Sequence, residues 1–133
     1  MKTCNCGSKL QYSLCCGRFI EGGSIPQTAE ELMRSRYVAY SLAKIEYIQA
    51  TMQGRALIDF DLNDAREWSQ NIKWLKLNVL DSYNLSESSA VVEFCAEYRL
   101  QNKKHRLHEI SEFSQENGRW YYIGVLDAAN NKQ

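Results

Sequence analysis

Val92-Glu93-Phe94-Cys95-Ala96-Glu97-Tyr98-Arg99-Leu100 alternates apolar and polar side chains position by position. Successive side chains of an extended chain point to opposite faces, so Val92, Phe94, Ala96, Tyr98 and Leu100 predict one buried face of a β-strand. The same rule puts Cys95 on the polar face, where a lone cysteine reads as a bystander. Leu75, Leu77 and Val79 alternate with Lys76 and Asn78 in the same way, and residues 105–114 and 119–125 read as two further strands. Turn-forming residues separate them at 86–89, 101–103 and Asn117-Gly118. The last pair favours a tight hairpin, because both residues tolerate positive φ. Four strands with short connections predict an antiparallel meander.

Upstream the period changes. Thr28-Ala29-Glu30-Glu31 is a capping box, in which the threonine hydroxyl accepts from the amide three residues on. Leu32, Met33, Arg36, Tyr37 and Tyr40 follow at three-to-four spacing and define one helical face. A second helix is expected around 45–52, broken at Gln53-Gly54, and a further turn from Asn63 to Trp68 with Asn63 as its cap. Helices followed by a meander predict an α+β fold, with the helices on one face of a curved sheet.

The 133 residues suit one compact domain with a small appendage. A hydrophobic fraction of 44% with 24% charged residues is ordinary for a globular chain and argues against disorder. No apolar run approaches the roughly 20 residues of a membrane span. The start, Met1-Lys2-Thr3-Cys4-Asn5-Cys6, lacks the apolar core of a signal peptide, so a cytoplasmic location is expected. Sixteen Lys and Arg balance sixteen Asp and Glu. That balance weighs against nucleic-acid binding, which draws on a concentrated basic surface.

Four of the five cysteines fall in the first 16 residues, spaced C-x-C-x8-C-C as Cys4, Cys6, Cys15 and Cys16. Residues 1–26 show neither helical nor strand period, and so short a segment needs a cross-link or a metal to hold a shape. Four thiolates suit a closed tetrahedral zinc site. Gly7 would let the chain turn behind the first pair so that amides point at sulfur. Two disulfides are the competing reading, disfavoured by a reducing cytoplasm. A redox or nucleophilic thiol is a third, without the C-x-x-C spacing or a nearby histidine. With four zinc-bound thiolates and one divalent ion, the site carries four negative charges against two positive, so the loaded protein would be mildly acidic.

Cys4-Asn5-Cys6-Gly7-Ser8 and Tyr12-Ser13-Leu14-Cys15-Cys16-Gly17 resemble the SEC-C zinc motif, C-P-C-G-S-G-K-x-Y-x-x-C-[CH], also found at the tail of the SecA translocation ATPase. Asn5, Lys9 and Leu10 stand where the motif has proline, its second glycine and lysine, and none of them is a ligand. The segments Leu32–Tyr37, Leu107–Phe113 and Asn117–Tyr122 are similar to the YchJ family of bacterial proteins. That resemblance implies a SEC-C knuckle with its linker over 1–26 and, over 27–133, a cone-shaped, cystatin-like domain of the nuclear transport factor 2 type. Some relatives carry a second knuckle at the C-terminus, and this chain ends at Gln133 without one. The family's Asp-Gly after the last strand is not kept at Gly124-Val125.

The cone implies a pocket. Glu109 shares a strand face with Leu107 and Phe113, where a bare carboxylate would be costly, so a buried pair with Arg34 or Arg36 is expected. Arg34, Arg36, Tyr40 and Glu109 are the candidate pocket residues, as a structural network or around a general acid or base. Trp68, Trp74, Trp120 and Tyr122 are expected in the core. His108 faces away from Glu109, and His105 with the 103–106 basic cluster reads as a solvated hairpin end. No catalytic constellation is legible, so the expectation leans away from an enzyme. First comes a protein-interaction module that uses the knuckle and a structural zinc ion. A small-molecule-binding protein or enzyme using the pocket comes second, and nucleic-acid binding through Lys2, Lys9 and Arg18 third.

Overall fold

A computed structural model describes residues 2–126 of the chain. Five helices precede four strands: α1 (Gly17–Ile20), α2 (Ala29–Ser41), α3 (Ile45–Ala50), α4 (Arg55–Ile58) and α5 (Leu62–Asn71), then β1 (Ile72–Ser86), β2 (Ser89–Leu100), β3 (Lys103–Glu116) and β4 (Arg119–Val125). The strands form one antiparallel sheet in the order β1-β2-β3-β4. This is the α+β meander that the alternation predicts, with α2 laid across the inner face of the sheet.

Turn chemistry sets the register. Asn117 and Gly118 take φ of 53° and 82°, and Gln101 and Asn102 take 52° and 66°. Positive φ at both central residues is the signature of the mirror-image hairpin turn whose twist matches the strands. The edge of β4 is also occupied: the Tyr122 amide donates to the Thr51 carbonyl (2.8 Å), and the Gln53 amide donates to the Tyr122 carbonyl (3.0 Å).

The core joins α2 to the sheet through Leu32, Met33, Tyr37 and Val38 on one side and Val92, Phe94, Ala96 and Phe113 on the other. The cysteine segment belongs to this same core, since Cys4, Cys6, Cys15 and Cys16 are members of the cluster. The segment is therefore more than an appendage, and it holds a 3-10 turn (Tyr12–Leu14) and the single turn of α1.

Four local expectations change. Register shifts in β1 between Trp74 and Lys76 and between Val79 and Asp81 are β-bulges, and a bulge moves the following residues to the other face. Trp74 and Leu77 thus turn inward while Leu75 is 38% exposed, so Leu75 does not share a face with Leu77. Cys95 is buried rather than solvated, opposite Asn78 and His108 on the outer face. The break expected at Gln53-Gly54 is followed by the extra turn α4. Finally, α5 begins at Leu62 with Asp61 as cap: the Asp64 amide donates to Asp61 Oδ1 at 2.9 Å, displacing Asn63 from that role. The box at α2 forms as expected, with the Glu31 amide on Thr28 Oγ1 (3.1 Å), although Glu31 reaches back to the Gln27 amide (2.8 Å).

The cap assignment can be tested directly. Asp61→Ala should cost about 1 kcal/mol in urea unfolding, the usual loss for an N-cap. Asn63→Ala should stay within about 0.5 kcal/mol, as for an ordinary surface change.

Candidate functional site

Two places gather chemistry-bearing residues. At the first, the sulfurs of Cys4, Cys6, Cys15 and Cys16 all lie within 4.8 Å of one another, and all four side chains are buried. All are free thiols. The Cys6 and Cys15 sulfurs stand 3.6 Å apart, so no disulfide joins them. A tetrahedral ion with metal–sulfur bonds of about 2.3 Å separates its ligands by about 3.8 Å, so the cluster fits a soft divalent ion. Protonation is unequal across the cluster. The Cys16 thiol and the Ser8 hydroxyl and amide donate toward Cys6, which lowers its pKa to about 4 despite burial. Cys16, the donor in that bond and itself buried, is pushed far up, and burial raises Cys4. Burial thus opposes charging Cys4 and Cys16 alongside Cys6, and a bound dication would remove that obstacle. Such an ion would cross-link the segment, because four protein ligands leave no position for water or substrate.

The backbone builds this cluster from local constraints. Thr3 and Gln11 form an antiparallel bridge, and the Cys4 amide donates to the Leu10 carbonyl at 2.7 Å. Gly7 turns the chain with φ of 88°. A Cβ at Gly17 would lie 2.6 Å from the Tyr12 carbonyl oxygen, so only glycine fits there. Lys9, where the SEC-C pattern has its second glycine, is held at φ of 72°. That is the left-handed region, which costs a residue with a side chain about 1 kcal/mol or more.

Arg34 clamps the cluster to α2. Its Nη1 donates to the Cys6 carbonyl (2.9 Å), and its Nε pairs with Glu30 (3.0 Å). Arg34 therefore sits at the knuckle and does not join the expected pocket network. Asn5 adds a contact to Ser41 Oγ at 3.3 Å.

The second place is a cleft of about 220 Å³ between α2, α5 and the sheet, which brings Arg36, Tyr40 and Glu109 together with Trp74, Ser111 and Tyr122. The Ser111 hydroxyl (2.6 Å) and the Tyr122 hydroxyl (3.2 Å) both donate to Glu109 Oε2. Arg36 is 7% exposed. Its Nη1 donates to the Ile48 carbonyl (2.8 Å) and to Thr51 Oγ1 (2.7 Å), and its guanidinium lies 4.7 Å from the centre of the Tyr122 ring. Among the described residues no salt bridge joins Glu109 to Arg34 or Arg36. The expected ion pair is replaced by two hydroxyls on the carboxylate and by a carbonyl, a hydroxyl and a ring face on the guanidinium. Ser111 was legible in principle, since it lies two residues after Glu109 on the same strand face. Thr51 was not, because nothing local ties it to Arg36.

Trp68 stands at the rim, 41% exposed, rather than in the core, while Trp120 is buried. Trp74 meets Tyr37 and Trp68 edge-on at 5.3 and 5.8 Å. On the outer face His108 contacts Glu93 (2.7 Å), while on the inner face His105 of β3 stacks on Tyr98 of β2 rather than lying in a turn.

Known proteins share this arrangement. The family described as YchJ, middle NTF2-like domain, matches residues 28–125. A UPF0225 protein of Geobacter sulfurreducens is 36% identical over 90% of this chain and 75% of its own length. The solution structure of a SEC-C motif containing protein from Rhodopseudomonas palustris superposes with a TM-score of 0.84 at 36% identity, covering 92% of this chain and 95% of the other. A crystal structure of a SEC-C motif containing protein from Psychrobacter arcticus gives 0.81 at 29% identity, over 92% and 81%.

Two outcomes follow from this geometry. Lys9→Gly should raise the unfolding free energy by about 1 kcal/mol, because glycine relieves the left-handed strain. Burial raises the phenol pKa values of Tyr40, Tyr47 and Tyr122, with the charge of Glu109 adding to the effect at Tyr122. A phenol raised in the folded state stabilises it fully below its unfolded value of about 10, and that contribution is lost as pH rises further. Denaturant midpoints should therefore hold to about pH 10 and fall above it, less steeply in Tyr122→Phe.

Proposed function

The chain belongs to the YchJ family and carries its SEC-C knuckle, and on that footing we propose that it is a cytoplasmic, zinc-ordered protein-interaction module. Zinc is the ion that best suits four cysteine sulfurs in a closed set, and such a site shapes a surface rather than performing chemistry. One contrast carries the reading. The four sulfurs are buried within 4.8 Å of one another, whereas Leu10 and Leu14 in the same short segment stand 53% and 63% exposed. Burying ligands while leaving two leucines in water is the pattern of a metal-folded loop that presents apolar side chains to a partner. Exposed Lys9 and Arg18 are near them in the chain, which suits a partner with an apolar patch and acidic surroundings.

The reading yields a two-part expectation. Zinc content by plasma mass spectrometry should be one ion per chain and should fall to background in Cys15→Ser/Cys16→Ser. In affinity capture, Leu10→Ser/Leu14→Ser should keep its zinc and lose the partners retained by the native protein. Identical partners for native and double-leucine proteins would sink the interaction role, and absence of zinc from the native protein would sink the metal.

A further inference from the structure

Arg36 has a side that nothing occupies. A guanidinium offers five N–H donors, and the two on Nη1 go to Ile48 and Thr51. Nε and Nη2 form no hydrogen bond to another described residue, although Arg36 is buried and lines the cleft. Burial works against this charge, lowering the pKa of Arg36 from its ordinary value, and the carboxylate of Glu109 is near enough to offset part of that. The carboxylate is half used as well. Oε2 takes both hydroxyls, while Oε1 accepts no hydrogen bond from a described residue. Trp74, on the same cleft, has a fully buried indole N–H without a partner. A buried donor left unbonded costs about 1–3 kcal/mol, and the Trp74 N–H is such a donor, while Arg36 and Glu109 line the same cleft with donors and an acceptor to spare.

The complement is constrained by charge. An anion on the Arg36 fork would lie beside Glu109, and a cation on Glu109 would lie beside Arg36. A neutral group with an acceptor next to an N–H donor satisfies both, and each bond is charge-assisted and about twice as strong as a neutral one. Flat walls complete the picture, with Tyr37, Trp74 and Phe94 on the cavity. At about 220 Å³ the cleft falls below the roughly 300–1,000 Å³ of drug-sized sites, so the ligand is small.

We propose that the cleft binds a small aromatic amide or lactam, its carbonyl on the Arg36 fork and its N–H on Glu109 Oε1. Tyr122 positions both ends, holding Glu109 through its hydroxyl and Arg36 against its ring. The site is separate from the cysteine cluster and does not depend on what the knuckle binds.

Three isosteric probes test the assignment: benzamide, benzoate and benzamidinium share one shape and differ in charge and in the pattern of donors and acceptors. In two-dimensional amide NMR of the full zinc-loaded chain, benzamide should bind in the millimolar range. It should shift the Trp74 indole proton, and benzoate and benzamidinium should bind at least about tenfold more weakly. In Glu109→Gln the order should change, benzoate gaining well over about tenfold and overtaking benzamide once the competing carboxylate is gone. Because the native protein supplies the first ranking, a variant that misfolds does not remove the test. Benzoate or benzamidinium equalling benzamide on the native protein overturns the proposal. So does the absence of any shift at millimolar benzamide, or an unchanged order in folded Glu109→Gln.

Discussion

Helix α2 is buried on two sides, and the remaining structure is arranged around that constraint. A helix laid on a sheet ordinarily buries one stripe and gives the other to water. In α2 the residues Leu32, Met33, Ser35, Arg36, Tyr37, Val38 and Ala39 are all buried, which is more than one stripe can account for. The second cover is shared by the cysteine segment, against Leu32, Met33, Tyr37 and Val38, and by α3, against Ser35, Arg36 and Ala39. The sheet alone would leave part of this helix exposed, and the segment alone has too few apolar side chains to fold. Each supplies what the other lacks, and they meet in one continuous core.

Arg34 and Arg36 show how the helix serves both sides. Side chains two apart on a helix point about 200° around the axis, so these arginines cannot act on the same target. Arg34 reaches outward to the Cys6 carbonyl, and Arg36 turns toward Thr51, Ile48 and the cleft. A charge at the helix surface paired to Glu30 and a carbonyl contributes modestly. A charge buried beneath Tyr122 without a carboxylate contact is costlier, and so it is the one that points to a role beyond folding.

The parts legible in the sequence were those set by short-range rules. The Thr28 cap, the Asn117-Gly118 turn, the period of β2 and the Glu109 strand face each depend on residues within a few positions of one another. The misreadings came where a rule was local but its phase was not. Leu75 alternates perfectly with Leu77 in sequence, yet a bulge between Trp74 and Lys76 intervenes and turns Leu75 outward. Cys95 lies on the outer face as its phase says, but neighbouring strands cover it where no helix does. Arg34 and Arg36 looked equivalent until the knuckle, remote in sequence, took one of them. Asp61 won over Asn63 because the helix begins two residues earlier than its apolar pattern suggested.

The equal count of acids and bases also acquires a spatial meaning. On the outer face of the sheet, Glu93 meets His108 and Glu97 meets Lys104, while Arg55 from α4 meets Glu112. Opposite charges across neighbouring strands add a few tenths of a kcal/mol each and leave the surface mixed rather than basic. Among the described residues, two interior places stand apart from these surface pairs: the four cysteine sulfurs, which could hold a cation, and Arg36 with Glu109 across a cleft. Neutrality of the whole is therefore compatible with strong local demand, and the two demands differ in kind. Four cysteine sulfurs converge on one point and could together hold an ion, whereas a guanidinium and a carboxylate held apart can be bridged by a neutral molecule.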